Sequence, residues 1–490
     1  MAVPDTSVVI LAAGKGTRMR SDRAKVLHRA GGRPLIEHVL RACQPLKAAQ
    51  ILVIVGHQAD QVRALATQFG AETVLQQPQH GTGHAMQVAR RAIRKSAKVA
   101  IVLPGDAPLL STETLVALGE THRRGEAAAT ILSAELPDPS GYGRIVRDSE
   151  GRVQAIVEDK SASPEQLSIH EVNSSIYSFT LEKLWPCLAK LRPDNAHREL
   201  YLTDAIASLR ERNERVLAQI VEDANEILGC NTRAHLADAD RVLRARKAAE
   251  LMKSGVTIYL PETVVIDPDV TIGLDSAIEP GVQLLGKTRV GSRCSIGGSS
   301  VLIDMRVDDG ARILPHCHLV ASRIGPDAQV GPFARLRPGT DIRASAHVGT
   351  FVEMKRTTLH ERAKAPHLSY LGDATIGEGT NVGAGTITCN YDGFAKHETK
   401  IGKGVFIGTD TALVAPVRVG DGAYIAAGSV VTDNVPADAL AVARGRQVNK
   451  PGWARARRAE FAATAKKATK SRRRPRAQRA RHRSKPRSRH

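Results

Sequence analysis

The sequence predicts two domains of different class, a doubly wound α/β domain followed by a parallel β-helix. Three observations carry this reading. At 490 residues the chain exceeds a typical domain of about 100 to 200 residues. Residues 1 to about 230 alternate short apolar runs with helical patterns, and beyond Gly255 single aliphatic side chains recur every six residues. Only 3% of residues are aromatic while 41 are glycine, a composition suited to small aliphatic cores built repetitively.

In the first part, VVILAAG, ILVIVGH, VAIVLPGD and AATILSAEL read as strands. Three of these runs pass directly into Gly or Pro and then polar residues, as strands do where ligand loops stand at the carboxyl ends of a mostly parallel sheet. HLADADRVLRARKAAELMK, from His235 to Lys253, carries apolar residues at helical spacing and predicts a connecting helix.

The six-residue period runs through Ile266, Ile272, Ile278, Leu284, Val290, Ile296 and Leu302, resumes over Ile324, Val330, Leu336, Ile342, Val348 and Met354, and returns from Ile401 to Val431. One inward aliphatic per hexapeptide, often with Gly beside it, describes a solenoid of three flat sides per coil, and a glycine-rich linker would lack the phasing. Two stretches fall out of the period, KRTTLHERAKAPHLSYLGDA around His367 and TCNYDGFAKHET around Asn390. Both are expected to leave the solenoid as loops, where binding groups tend to be placed. The expected domains are therefore 1–234, a linker helix 235–254, a solenoid 255–453 and a basic tail 454–490.

The tail holds +15 of the net charge of +20, so the rest of the chain is nearly balanced. With little to bury, it reads as a disordered, solvated appendage or as a contact for an anionic partner such as RNA or a membrane surface. The six cysteines show no CxxC pair, which argues against a disulfide framework or zinc site and for a reducing cytosol. VVILAA is too short for a signal peptide, and no segment approaches the roughly 20 apolar residues of a membrane span.

Residues 9–25, VILAAGKGTRMRSDRAK, crowd five Lys and Arg into the eleven positions from Lys15 to Lys25, directly after a buried-looking strand. This is either an ordinary turn with a solvated basic face or a polyphosphate cradle, in which exposed amides with Arg18 and Lys25 neutralise anionic oxygens. LPGDAPLL weighs toward the cradle, since Asp106 ends a strand and could hold Mg²⁺ against the same phosphates. QHGTGHAM is a second small-residue loop suited to close contact with a base or ribose.

Together LAAGKGTRM, GTGHAM, GYGRI, FARLRPG, HVGTFVEMK, HLSYLGDA and GAGTITCNYDG resemble, in order, the bacterial bifunctional family of N-acetylglucosamine-1-phosphate uridylyltransferases and glucosamine-1-phosphate acetyltransferases. The resemblance spans about residues 7 to 453. It implies a Rossmann-like nucleotidyltransferase domain and a left-handed β-helix acetyltransferase domain, forming a cytoplasmic homotrimer that supplies cell-wall and lipopolysaccharide precursors. Acetyl-CoA, glucosamine 1-phosphate and UTP would be the substrates.

By the same resemblance, Leu11, Ala12, Ala13, Gly14 and Lys25 would hold nucleotide and phosphates, and Gln76, Gly81 and Thr82 would read uracil. Gly105 and Asp106 fall at the metal loop, Asn231 at the second Mg²⁺ ligand, and Gly141, Glu158 and Asn173 at the sugar contacts. Pro104, before Gly-Asp, and Ser175, in place of a Gly after Asn173, depart from the family pattern. In the solenoid His367 matches the catalytic base, an imidazole that titrates near neutral pH. Arg337, Lys355, Tyr370 and Asn381 would bind glucosamine phosphate, with Ala384, Asn390, Tyr391, Thr409, Ala427 and Arg444 lining the acetyl-CoA groove. Two rival readings are a single-activity nucleotidyltransferase whose solenoid only assembles trimers, and an RNA-associated protein recruited through its tail.

Overall fold

The computed structural model describes residues 3–193 and 199–472. In the first domain the strands are β1 (Thr6–Ala12), β2 (Gln50–Val55), β3 (Glu72–Leu75), β4 (Val99–Pro104), β5 (Ala129–Glu135), β6 (Arg144–Arg147), β7 (Val153–Val157), β8 (Glu171–Thr180) and β9 (Val216–Ile220). They order as β9-β5-β8-β4-β1-β2-β3, with β6 hydrogen-bonded to β8 and to β7. β1 runs parallel to β2 and β4, and β8 is antiparallel to both β4 and β5.

Helices cover both faces of this sheet, which is why the strands read as nearly continuous apolar runs. Val8, Ile10, Val53, Ile101 and Leu103 pack on one side with Ile36, Val39 and Leu40 of α1 (Leu35–Cys43). Val9, Leu52, Ile54, Ala100 and Val102 pack on the other with Met86 of α2 (Thr82–Ala89) and Leu184 and Leu188 of α3 (Leu181–Leu188). The parallel strands all point their carboxyl ends at one rim, and that rim carries the loops after β1, β2, β3 and β4.

The linker is the helix α4 (Arg233–Lys253), started by the Thr232 side chain accepting from the His235 N–H. It fastens the two domains together at the tip of a small hairpin whose strands are Arg29–Ala30 and Arg33–Pro34. The Gly31 N–H donates to Asp240 Oδ1 at 2.8 Å, Arg244 holds the same carboxylate at 2.8 Å, and Arg33 reaches Asp269 of the first coil at 2.5 Å. Gly32 has φ +81°, and a Cβ there would stand 2.5 Å from Asp267 Oδ1, so only glycine lets the hairpin approach this closely.

Beyond α4, short strands form three parallel sheets of eleven, ten and nine strands, each coil stacking on the next in register. The inward anchors form one continuous core, each contributing roughly 2 kcal/mol of apolar burial.

The stretch around His367 does not leave the solenoid, contrary to the sequence expectation. Glu353 pairs with Tyr370 and Thr358 with Thr375, and Leu359, Ala365, Leu371 and Ile376 are buried anchors. The period is broken by steps of five instead of six, at Leu302 to Val307, Leu319 to Ile324, Met354 to Leu359 and Leu371 to Ile376. Every one falls at the corner where the ten-stranded sheet turns into the nine-stranded one. The stretch around Asn390 does project at that corner, since Ile376 pairs with Ile401 in the next coil.

Where the sequence reads as a disordered tail, residues Trp453–Arg472 form a helix, while the described side chains up to Lys467 are exposed, as a solvated appendage requires. Runs of Ala, Lys and Arg have high helix propensity, which explains the local order. The rest of the tail lies outside the described residues. Among the described residues no helix is long and apolar enough to cross a membrane. The six cysteines are free, and five are buried.

His122 is buried between Thr130 and Thr180, with ring nitrogens 3.0 and 3.1 Å from the two hydroxyls. Burial, then Arg123, lowers its pKa to about 4. The unfolded chain therefore binds the proton first, so stability is complete above about pH 6.5 and falls as pH drops toward 4, by roughly 3 kcal/mol at most. Urea midpoints should fall between pH 7.5 and 5 in the native chain, with a shallower fall in His122→Gln.

Candidate active sites

The loop after β1 opens into a cleft of about 1200 Å³ rather than folding over itself. Gly14, Lys15, Gly16, Thr17 and Arg18 form one wall, and Gly16 at φ 62° and Arg20 at φ 47° bracket the single turn Thr17–Met19 that aims Arg18 inward. At the base of the cleft Lys25 Nζ lies 2.6 Å from Asp106 Oδ2 and 3.2 Å from Asn231 Oδ1, and Arg18 Nη2 is 3.0 Å from the same Asn231 oxygen. The Cys230 N–H donates to the Asp106 carbonyl at 2.9 Å, which locks the loop after β4 to the segment ahead of α4.

Two hard oxygens, one from Asp106 and one from Asn231, thus converge on a single cationic atom. That donor set fits a divalent ion completed by substrate phosphates and water, and among the described residues no group of three or more His, Cys, Asp or Glu forms a cage of its own.

On the β3 side, buried Gln76 lines the cleft, donates from Nε2 to the Gly81 carbonyl at 2.9 Å and lies 3.2 Å from His84 Nδ1. Thr82 Oγ1 accepts from the Leu202 N–H at 3.0 Å. Across the cleft stand Gly141, Tyr142, Glu158 and Asn173. Burial, then Asp204 and Asp159, raises the Glu158 carboxyl above its ordinary value. Asn173 donates to Tyr177 OH at 2.9 Å and takes the Ser175 N–H on Oδ1 at 3.2 Å. Ser175 sits at φ 62° where β8 bulges between Asn173 and Ile176, a conformation that glycine adopts more readily.

Leu11, Ala12, Ala13, Gly14, Arg18, Lys25, Gln76, Gly81, Thr82, Asp106, Gly141, Glu158, Asn173 and Asn231 all line this one cleft. Gly105 is not among the lining residues. Its N–H donates to the Leu11 carbonyl at 2.9 Å and a Cβ there would lie 3.2 Å from Ala12 Cβ, so it is a spacer behind β1 that lets Asp106 turn inward. Lys15, Thr17, Tyr142, Tyr201 and His235 also line the cleft. Lys15, Thr17 and Tyr142 lie within motifs already visible in the sequence; Tyr201 and His235 carry no local signal and arrive through tertiary folding alone.

The solenoid candidates lie along two edges of one face. His367 and Leu368 stand at one edge directly above Ala384 and Gly385, then Thr409 and Asp410, then Ala427 and Gly428, coil upon coil, with Arg444 donating to the Ala427 carbonyl at 2.8 Å. At the opposite edge Arg337 directly follows the strand Arg335–Leu336 and Lys355 ends the strand Glu353–Lys355, and Arg337 pairs with Glu353 at 3.1 Å. Tyr370 begins the strand between the two edges and Asn381 begins one on the adjoining sheet. Asn390 donates to Asp373, which also takes Arg356 at 2.6 Å. Burial pushes the Asp373 carboxyl up, but these bonds outweigh it and hold the group below the ordinary range. In the projecting loop Lys396 Nζ sits 4.0 Å above the Tyr391 ring. His367, Tyr391, Thr409, Ala427 and Arg444 are exposed, so this site is an open face.

Residues 8–201 match the MobA-like NTP transferase domain, and residues 398–433 match the six-repeat bacterial transferase hexapeptide family. Over 458 residues the chain is 48% identical to the bifunctional protein GlmU of Koribacter versatilis, covering 93% of this chain and 97% of that protein. It is 46% identical to the protein of the same name from Corynebacterium efficiens over 94% of this chain and 97% of the relative, and 47% identical to that of Streptomyces avermitilis over 97% and 99%.

Gly81 caps α2 at φ +93°, and a Cβ there would meet the Leu200 carbonyl at 2.6 Å. Gly81→Ala should lower stability by about 3 kcal/mol through strain and overlap, read as a lower thermal midpoint.

Proposed function

Because the chain belongs to the family of the bifunctional proteins GlmU, we infer that it catalyses two reactions in one chain. The solenoid transfers acetyl from acetyl-CoA to glucosamine 1-phosphate, and the α/β domain couples the product to UTP, giving UDP-N-acetylglucosamine and pyrophosphate. The observation that carries the second activity is the convergence of Arg18, Lys25, Asp106 and Asn231 at the base of one cleft.

In uridylyl transfer a phosphate oxygen of the sugar phosphate attacks the α-phosphorus in line and pyrophosphate leaves, so no protein nucleophile is required. Asp106 and Asn231 would hold Mg²⁺, which supplies charge neutralisation to the phosphate oxygens. Arg18 and Lys25 neutralise the charge that accumulates on the triphosphate, and Leu11, Ala12, Ala13 and Gly14 bring the backbone close to it. Gln76, Gly81 and Thr82 read the uracil edge, while Gly141, Glu158 and Asn173 hold the sugar.

In acetyl transfer the His367 imidazole takes the proton from the amine as it attacks the thioester carbon, and CoA leaves as the thiol. Arg337 and Lys355 hold the sugar phosphate against Tyr370 and Asn381. The column of Ala384, Thr409 and Ala427 forms a narrow edge for the CoA arm, with Asn390, Tyr391 and Arg444 flanking it.

The acetyl site is completed by a second copy of the chain in a homotrimer. What supports this is the openness of the face and the apolar edge beside His367, where Phe333, Phe351 and Leu368 are 48%, 58% and 61% exposed. All three have left-handed φ, and Phe333 stacks with both His316 and Phe351 at 5.0 and 5.4 Å. Bulky apolar groups presented in a row from such corners fit burial against a partner. Free, mostly buried cysteines fit a reducing cytoplasm.

A coupled assay with glucosamine 1-phosphate, acetyl-CoA, UTP and Mg²⁺ should yield UDP-N-acetylglucosamine. His367→Ala should cut acetyl transfer by about 10² to 10⁴ and leave uridylyl transfer intact. Asp106→Ala should do the reverse. Acetyl-CoA turnover indifferent to the His367 change would reduce the solenoid to an assembly device.

A further inference from the structure

Arg144 opens β6, and its side chain is only 3% exposed, beneath the sugar side of the cleft. Its Nη1 donates to the Tyr142 carbonyl and its Nη2 lies 3.2 Å from Asp159 Oδ1. Its backbone pairs with Val157 on one neighbouring strand and with Val172 on the other. Each of those residues is followed at once by a cleft residue, Glu158 and Asn173. The Gly143 carbonyl accepts the Asn173 N–H at 2.8 Å, so the loop, β7 and β8 all meet at this one position.

A guanidinium taken out of water against a single carboxylate is a poor source of stability, and an apolar side chain of similar volume would fill the space as well. Among the described residues its Nε is buried without a hydrogen-bond partner, which adds to the desolvation. What the charge does accomplish is geometric. It ties the carbonyl of Tyr142 to the segment carrying Glu158, because the same guanidinium holds Asp159, the residue next to Glu158.

We propose that Arg144, through Asp159, is the positioning residue that sets the width and selectivity of the sugar-phosphate half of the cleft, without itself touching substrate. The inference rests on the uridylyl-transfer reading above. It concerns how well the chain distinguishes N-acetylated from free-amine sugar phosphate, a property of wall spacing and not of phosphate charge.

The test measures KM separately for N-acetylglucosamine 1-phosphate and for UTP in the full chain, with acetyl transfer in the same preparation reporting that the fold is intact. Arg144→Met should raise the sugar-phosphate KM about tenfold, the scale of one lost orienting contact, with kcat and the UTP KM within about twofold. Preference over glucosamine 1-phosphate should fall, and Arg144→Lys should recover part of both. Asp159→Asn, at a partly exposed carboxylate, should shift the same two quantities in the same direction and decides the matter if Arg144→Met does not fold. Equal changes in both KM values, or a sugar-phosphate KM unchanged in Asp159→Asn, would overturn the proposal. A native chain without uridylyl transfer would bring down the activity itself and this inference with it, whereas a native chain that turns over with unaltered variants overturns this inference alone.

Discussion

Everything in the first domain follows from a buried carboxylate that needs a cation. Asp106 leaves β4 at the same rim where β1 releases its basic loop, and Lys25 closes on it at 2.6 Å. A parallel sheet guarantees that these ends share a rim, because each crossover returns the chain to the same starting edge. Asn231 then joins from a segment more than a hundred residues later, drawn in by the Cys230 amide on the Asp106 carbonyl. The site is thus an electrostatic knot that phosphate oxygens can enter by sharing cations already gathered, without a new cost of assembling them.

The solenoid works by a different constraint, the fixed distance between inward anchors. Each coil must bring an aliphatic group to the same place on each side, yet one corner absorbs coils that are a residue short, and the same corner accommodates the insertion at Asn390. Variation is confined where no anchor needs to move. The opposite edge keeps an unbroken column from Leu368 to Gly428, which gives an extended ligand a straight edge to lie along.

The two chemistries are mechanically joined. The hairpin that follows Lys25 inserts its glycine tip between α4 and the first coil, with Asp240, Asp267 and Asp269 receiving it. Charged partners at this junction are partly exposed, so their individual contributions are small, and close glycine packing sets the geometry.

The sequence alone determined the architecture and most of the cleft. Strand runs covered on both faces are unmistakably apolar, a six-residue period has few physical explanations, and glycine-rich motifs mark where backbone must come near a ligand. It also marked His367 and Asn390, although it misread the first as a loop, since a one-residue slip and an insertion both interrupt a period and only stacking register tells them apart. Tertiary structure decided the rest: that Gly105 packs against Ala12 behind β1, that Tyr201 and His235 reach the cleft, and that Arg144 joins three of its walls. Those depend on which distant backbone lies alongside, and side-chain spacing along one chain carries no record of that.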